Sequence, residues 1–222
     1  MYDLLLILAI ILLPLLAQFY ITSTYNSYKK KNNTEKLSGF EVARKILDAN
    51  GLEDIDIVST SGTLSDHYDP SRRVVRLSND NFNGESVAAM AVAAHECGHA
   101  IQHKEGYSLM KIRSMLVPVV NIATSLSYYI IVAGFLFQIL NLVYIGIALT
   151  CMGLLFQIVT LPVEIDASKR AGVQLSSLGL ALGNDSAGTK KVLTAAAMTY
   201  VAGVVSSALQ VLRLILIYGR RD

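Results

Sequence analysis

Two histidines four residues apart, with a glutamate directly after the first, carry the clearest chemical signal in this chain: His95, Glu96 and His99 in the run AAHECGHAIQH. On a helix a four-residue step returns to the same face, so both imidazoles can reach one metal ion. Glu96 then stands beside the ion, where a general base must be to take a proton from an attacking water. The flanking run VAAMAVAAHECGHAI is apolar or small around these three polar groups. Buried polar groups need partners, and a divalent cation is a natural one. Asn83, Gly84, Glu85 and Ser86 offer caps and negative charge at the start and Gly106 offers a stop, so the pattern predicts a helix between them.

A hydrolytic zinc site takes three protein ligands and keeps a position for water, so one ligand remains to be found. His103 lies a further turn along, about 12 Å from His95 at 1.5 Å per residue, too far for one ion to bind all three imidazoles of a straight helix. His67 stands in the loop-like SDHYDP. Glu164, in LPVEIDASKRA, is the first charge after fifty uncharged residues, and a carboxylate at such a place needs a positive partner. His67, Tyr68 and Tyr200 are candidate donors for a developing oxyanion. Packing or interfacial roles suit tyrosines equally in a chain with 11 of them.

The elements that must position these residues are set by hydropathy. The chain is 53% hydrophobic with a mean hydropathy of +0.46, and the excess is concentrated in blocks. Residues 4–21 are uncharged and long enough to span a bilayer, and they lack a basic leader and a small-x-small cleavage site, so 1–25 is read as a retained anchor. Residues 114–163 carry no charge and fit two membrane helices with a turn near Gln138 to Tyr144. Segment 164–191 is a helix or loop bearing Glu164, and 192–222 is a further hydrophobic segment, transmembrane or re-entrant, interrupted by Arg213. Lys29, Lys30 and Lys31 follow the first span, and Lys169, Arg170, Lys190 and Lys191 follow the third. The positive-inside rule therefore predicts a multi-pass protein of the plasma membrane whose soluble part is cytoplasmic. A fourth span would put Arg220 and Arg221 on the outer side, against that rule.

The soluble insertion, residues 26–113, holds twelve basic and twelve acidic residues, so no nucleic-acid partner is implied. Ser38 to Glu41 reads as a capping box opening an amphipathic helix that Gly51 ends. Ile55 to Ser59 is a candidate strand, and two more, Thr63 to Tyr68 and Arg73 to Ser78, flank the turn residues Asp69 to Arg72. A strand pair before the metal helix suggests that Arg73, Val74, Val75, Arg76, Leu77 and Ser78 form an edge able to hold an extended substrate. Cys97 points away from His99 around the helix, which suits core packing, and two cysteines make no disulfide framework.

Taken together, HECGHAIQH, DHYDPSRRVVRLS and LPVEIDASKRA resemble the YugP-like family of bacterial membrane zinc metallopeptidases, over nearly the whole chain. More distantly they are similar to HtpX-type and CAAX prenyl proteases. The resemblance implies one Zn2+ per chain on His95, His99 and Glu164, with Glu96 as base. In HtpX-type proteins an Asp follows the ligand Glu by four residues. Here that place is Ser168, and Asp166 is the nearby carboxylate able to steady a ligand histidine. The expected fold is membrane α+β, three to four transmembrane helices with a small zincin-like domain inserted after the first span. The expected function is a gluzincin-type metalloendopeptidase acting on peptide or membrane-protein substrates at the lipid bilayer. A non-catalytic zinc-binding scaffold or chaperone fits the spans equally but has no use for Glu96, an acid beside a metal that does not bind it. A site-2-type protease would bury the motif in a span, whereas here it follows a charged, hairpin-bearing domain; a channel or transporter would carry ionisable groups in mid-span, and none occurs between Arg113 and Glu164.

Overall fold

A computed structural model describes residues 2–63 and 65–218. In chain order the elements are α1 (Tyr2–Lys29), α2 (Gly39–Ala49), β1 (Asp56–Thr60), β2 (His67–Asp69), β3 (Val74–Ser78), α3 (Asn79–Asn83), α4 (Val87–Lys104), α5 (Ser108–Leu136), α6 (Leu140–Ser177) and α7 (Asn184–Tyr218). They fall into two compact units, one of Met1–Gln18, Ser108–Pro162 and Thr199–Asp222, the other of Phe19–Tyr107 and Val163–Met198.

The first unit is helical. Four helices of the chain, Asp3–Lys29, Ser108–Leu136, Leu140–Ser177 and Asn184–Tyr218, are long and apolar enough to cross a membrane. Large apolar side chains face outward from this unit, among them Leu16, Met115, Tyr128, Leu136 and Phe137, as lipid-facing surfaces do and water-facing ones rarely do. The turn from α5 to α6 is tighter than the sequence suggests: Phe137 to Ile139, with Gln138 at φ +56° and the Ile139 N–H donating to the Gly134 carbonyl. α7 runs unbroken through Arg213, whose guanidinium pairs with Asp3 at 2.7 Å, so the charge that interrupts the apolar run is neutralised. Arg220 and Arg221 lie outside the described residues.

The second unit holds the mixed structure. α2 opens on the capping box read from sequence, Ser38 Oγ accepting from the Glu41 N–H and the Glu41 carboxylate accepting from the Ser38 N–H. Its apolar stripe, Val42, Ala43, Ile46 and Leu47, is buried. α4 packs on that stripe and is buried on almost every side, because its alanines let neighbours approach closely. Cys97 sits in this packing, fully buried, its Sγ 3.6 Å from the Ala43 carbonyl. Gly98 marks the closest approach to α6: a Cβ there would stand 2.5 Å from the Ala167 carbonyl oxygen.

One expectation is corrected by the sheet. Its strand order is β1-β3-β2, so β3 is the central strand. β1 pairs with it in parallel from Asp56↔Val74 to Thr60↔Ser78, and β2 pairs antiparallel from His67↔Arg76 to Asp69↔Val74. Val74, Val75, Arg76, Leu77 and Ser78 are therefore no edge for a substrate strand, and Arg73 lies before the strand at φ +52°. The local pattern revealed the β2–β3 turn, where Asp69 Oδ1 accepts from the Ser71 and Arg72 N–H groups. It could not reveal a parallel partner, which joins across thirteen intervening residues. The burial of Val74, Val75, Leu77 and Ser78, continuous where an edge strand would alternate, is the mark of a strand enclosed on both faces. β2 is shorter than expected. Beyond it the Asp66 carboxylate takes the place of a ladder, accepting from the Ser78 N–H at 2.7 Å and from Asn81 Nδ2 at 3.0 Å.

Candidate metal centre

Ser86 caps α4, its hydroxyl accepting from the Ala89 N–H, and Gly106 at φ +68° ends it, so the helix runs straight through the motif. One turn apart on the same face, the His95 and His99 rings lie 4.8 Å between centroids at 80° to one another. α6 supplies the third group. Glu164 Oε2 is 3.2 Å from His95 Nε2 and 3.5 Å from His99 Nε2, and the three donor atoms all lie within 4.8 Å of one another.

These donors suit zinc. Bonds of about 2.0–2.2 Å at tetrahedral angles place ligand atoms about 3.3 Å apart, and both contacts to Glu164 bracket that spacing. The donor set itself, two imidazole nitrogens and a carboxylate oxygen in a pocket where Glu164 is 1% exposed, is that of a catalytic rather than a closed structural zinc site. A buried carboxylate carries a large desolvation cost, which a cation at this place would offset. His103, as expected, is not in the cluster; its Nδ1 meets the Tyr68 hydroxyl at 2.8 Å.

Glu96 is buried beside the two histidines. Burial pushes its carboxyl upward, and the neighbouring His95 and His99 pull against that. Among the described residues no hydrogen bond occupies its carboxylate, which leaves it free to accept a proton.

Each ligand ring is held from behind by a neutral group. Ser168 Oγ lies 3.2 Å from His95 Nδ1. His99 Nδ1 meets Gln102 Oε1 at 3.0 Å, and Gln102 is fully buried. Both N–H groups of the Gln102 amide are used on α6, one on the Val163 carbonyl and one on Asp166 Oδ2, each at 2.8 Å. Only its oxygen can then face His99, so His99 Nδ1 is the donor and Nε2 is the nitrogen left to face Glu164. Asp166 in turn accepts from Arg170 Nε at 2.5 Å, and Arg170 reaches Glu105 at 2.7 Å. Ser168 thus lies against one ligand histidine, and Asp166 meets no histidine itself but reaches the other through Gln102.

Gln102 and Arg170 were missed. The available signal was a glutamine three residues after His99 on the same face of an apolar helix, a buried polar group without an evident partner. The candidate oxyanion donors have different surroundings. His67 is exposed, with Nδ1 against the Ser65 carbonyl. Tyr68 is buried and its phenol is pushed up by that burial. Tyr200 is half-buried on α7, in the helical unit.

Comparison with known proteins gives the chain's family. The family described as "Putative neutral zinc metallopeptidase" matches residues 3–219. A curated relative from Bacillus subtilis (strain 168), "Putative membrane protease YugP", is 44% identical over 202 residues, covering 91% of this chain and 90% of the relative. No solved structure matches. With the match running almost from end to end and taking in His95, Glu96, His99 and Glu164, the chain belongs to this zinc metallopeptidase family.

Proposed function

We propose that the chain is a membrane-embedded zinc metalloendopeptidase of gluzincin type, with one Zn2+ held by His95, His99 and Glu164. The observation that carries this reading is the convergence of those three donors from α4 and α6, with Glu96 beside them and unbonded. Zinc, when bound there, supplies Lewis acidity towards a peptide carbonyl and makes water a better nucleophile. Glu96 accepts the proton of the attacking water and delivers it to the leaving amine. Gln102 holds His99 in the tautomer that leaves Nε2 free, Ser168 bonds His95 Nδ1, and Asp166 with Arg170 holds Gln102.

The substrate is a peptide segment at the bilayer. Glu164 follows directly on the last of fifty uncharged residues, so flexible segments emerging from the membrane are the chains most readily presented to it. Basic residues at the end of α1 and within α6 and α7 support a cytoplasmic site in a multi-pass plasma-membrane protein. The ligand assignment is tested by zinc stoichiometry and cleavage in the purified chain. Replacing His95, His99 or Glu164 by Ala abolishes both, and His103→Ala abolishes neither. Full zinc retention in Glu164→Ala would remove Glu164 from the site.

A further inference from the structure

Wholly within the second unit, α6 and the first turns of α7 enclose a cavity of about 380 Å³ that takes no part in the chemistry above. Its lining has two characters. Ile165, Leu175, Leu193 and Ala197 make part of it apolar, and its charged side chains are two lysines, Lys169 from α6 and Lys190 from α7. Leu175 and Leu193 are buried while both lysines are exposed, which gives an apolar floor and a cationic mouth.

The polar groups of the lining form a donor set. No carboxylate lines the cavity. Asp166 is engaged by Arg170 and Gln102, and Asp185 accepts from the Thr34 N–H. Ser168 and Thr189 are already bonded, to His95 Nδ1 and to the Ser186 carbonyl. Among the described residues, no hydrogen bond or ion pair engages Lys169, Lys190 or the hydroxyls of Ser176, Ser186 and Thr194, which line the same cavity. Ammonium and hydroxyl groups around one space, with no anion among them, suit a phosphate.

Position along the chain indicates what carries that phosphate. On α6 the lining begins at Ile165, directly after the uncharged run 114–163 and Glu164. On α7 it passes from Lys190 into the uncharged run 192–212, with Leu193 and Ala197. The cavity therefore lies where both helices change from charged to apolar sequence, which on membrane-crossing helices is the level of the lipid headgroups. A free phosphate or an acidic peptide would use the lysines and leave the apolar floor idle. An uncharged acyl group would do the reverse.

We propose that this cavity binds one anionic phospholipid of the cytoplasmic leaflet, its phosphate held by Lys169 and Lys190 and the upper part of an acyl chain laid against the apolar floor. Basic pockets on the cytoplasmic side of membrane helices bind such headgroups. The volume is within the range of about 300–1,000 Å³ that ligand pockets occupy, and the rest of the tails stays in the bilayer. From the function proposed above this takes only the reading of α6 and α7 as membrane-crossing helices with a cytoplasmic side; peptide cleavage is not assumed.

Two positions separate this site from its alternatives. Lys191, the next residue on α7, is exposed, carries the same charge and does not line the cavity, so it reports general attraction to an anionic surface. Gly172 does line it, and a Cβ built there meets no heavy atom within 4 Å, so a side chain can enter the space from that point. Val173, 63% exposed and outside the lining, is its control.

The experiment titrates the purified full chain, loaded with zinc and held in a nonionic detergent, with phosphatidylglycerol, phosphatidylcholine and water-soluble glycerol phosphate. Bound ligand is counted by native mass spectrometry, and zinc content is measured for every variant. Wild type should hold one phosphatidylglycerol in preference to phosphatidylcholine, and glycerol phosphate only weakly. A basic residue facing anionic lipid is worth about fivefold in affinity, so Lys169→Gln together with Lys190→Gln should weaken phosphatidylglycerol about thirtyfold and leave phosphatidylcholine unmoved. Lys191→Gln should match wild type. Gly172→Leu should weaken phosphatidylglycerol by about tenfold or more, the order by which pockets sense an added methylene, and Val173→Leu should not. Should Gly172→Leu fail to hold zinc, Gly172→Ala carries the same comparison with a smaller loss. An equal loss in Lys191→Gln would make the attraction a general one and overturn the proposal. Equal retention of phosphatidylcholine would overturn it too, and so would glycerol phosphate binding as tightly as the whole lipid, the mark of a site for a soluble phosphate. Because the readout is binding, phosphatidylglycerol held in this way by a chain that cuts no peptide supports the proposal and counts against the peptidase reading alone.

Discussion

Gln102 is the residue at which positioning and packing can be separated. Its oxygen fixes the tautomer of His99 while its two N–H groups tie α4 to the α6 backbone and to Asp166. Gln102→Met keeps the volume and removes all three bonds. Loss of a hydrogen-bonding partner behind a ligand typically lowers metal affinity about 10–100-fold. Chelator competition should show a fall of that size, and the rise in unfolding temperature on adding zinc should shrink with it. If the zinc-free chain is destabilised while the zinc-dependent rise stays at its wild-type value, Gln102 is a packing residue only. His95, Glu96 and His99 were legible because their spacing alone encodes a shared face. Gln102 was not, because its three partners lie on α6 or depend on α6 being there, and no periodicity in α4 announces them.

At the scale of elements, the site depends on how closely α4 approaches α6. Gly98 permits it, since any Cβ would meet the Ala167 carbonyl. Gly98→Val should therefore drive the helices apart and cost the chain most of its zinc, and metal analysis after purification in zinc-free buffer is the check; a full complement would show that the approach can relax. α4 is also the core of its unit. Cys97 is fully buried and its thiol is pushed far above the ordinary range by that burial, so at neutral pH almost no thiolate forms. In a Cys151→Ser background, Cys97 should stay unreactive to thiol reagents until the chain unfolds. Rapid labelling of the native chain would place that face of α4 in solvent.

The sheet teaches where a local reading stops. The β2–β3 turn could be foreseen from Asp69 to Arg72, and the helices from their caps, because each is specified by neighbours in sequence. The parallel β1–β3 pairing is specified by burial of Val74, Val75 and Leu77 on both faces, which only the folded unit reveals. With β3 central, Val75→Pro removes an N–H from the middle of the sheet. It should lower stability by about 1–3 kcal/mol and lower zinc binding along with it. Selective loss of activity with zinc and stability intact would restore the edge-strand role that the pairing excludes.

For the whole molecule, charge and apolar length together argue an arrangement across the bilayer. Four helices are long and apolar enough to cross it, and the proposed arrangement puts the basic residues beside α1 and within α6 and α7 on the cytoplasmic side. Cysteines introduced near Lys36 or Lys169 should resist labelling from outside intact cells, and one near Asn141 should react. Labelling at Lys36 from outside would invert the arrangement. The central claim, that the chain cuts peptide bonds with Glu96 as base, is met most directly by comparing wild type with Glu96→Gln in lipid vesicles, reading zinc content and peptide cleavage in the same preparations. The amide is close in shape to the carboxylate and cannot take the water's proton. Glu96→Gln should therefore hold as much zinc as wild type and cleave about 10²–10⁴-fold more slowly. Equal zinc with equal cleavage would contradict the account.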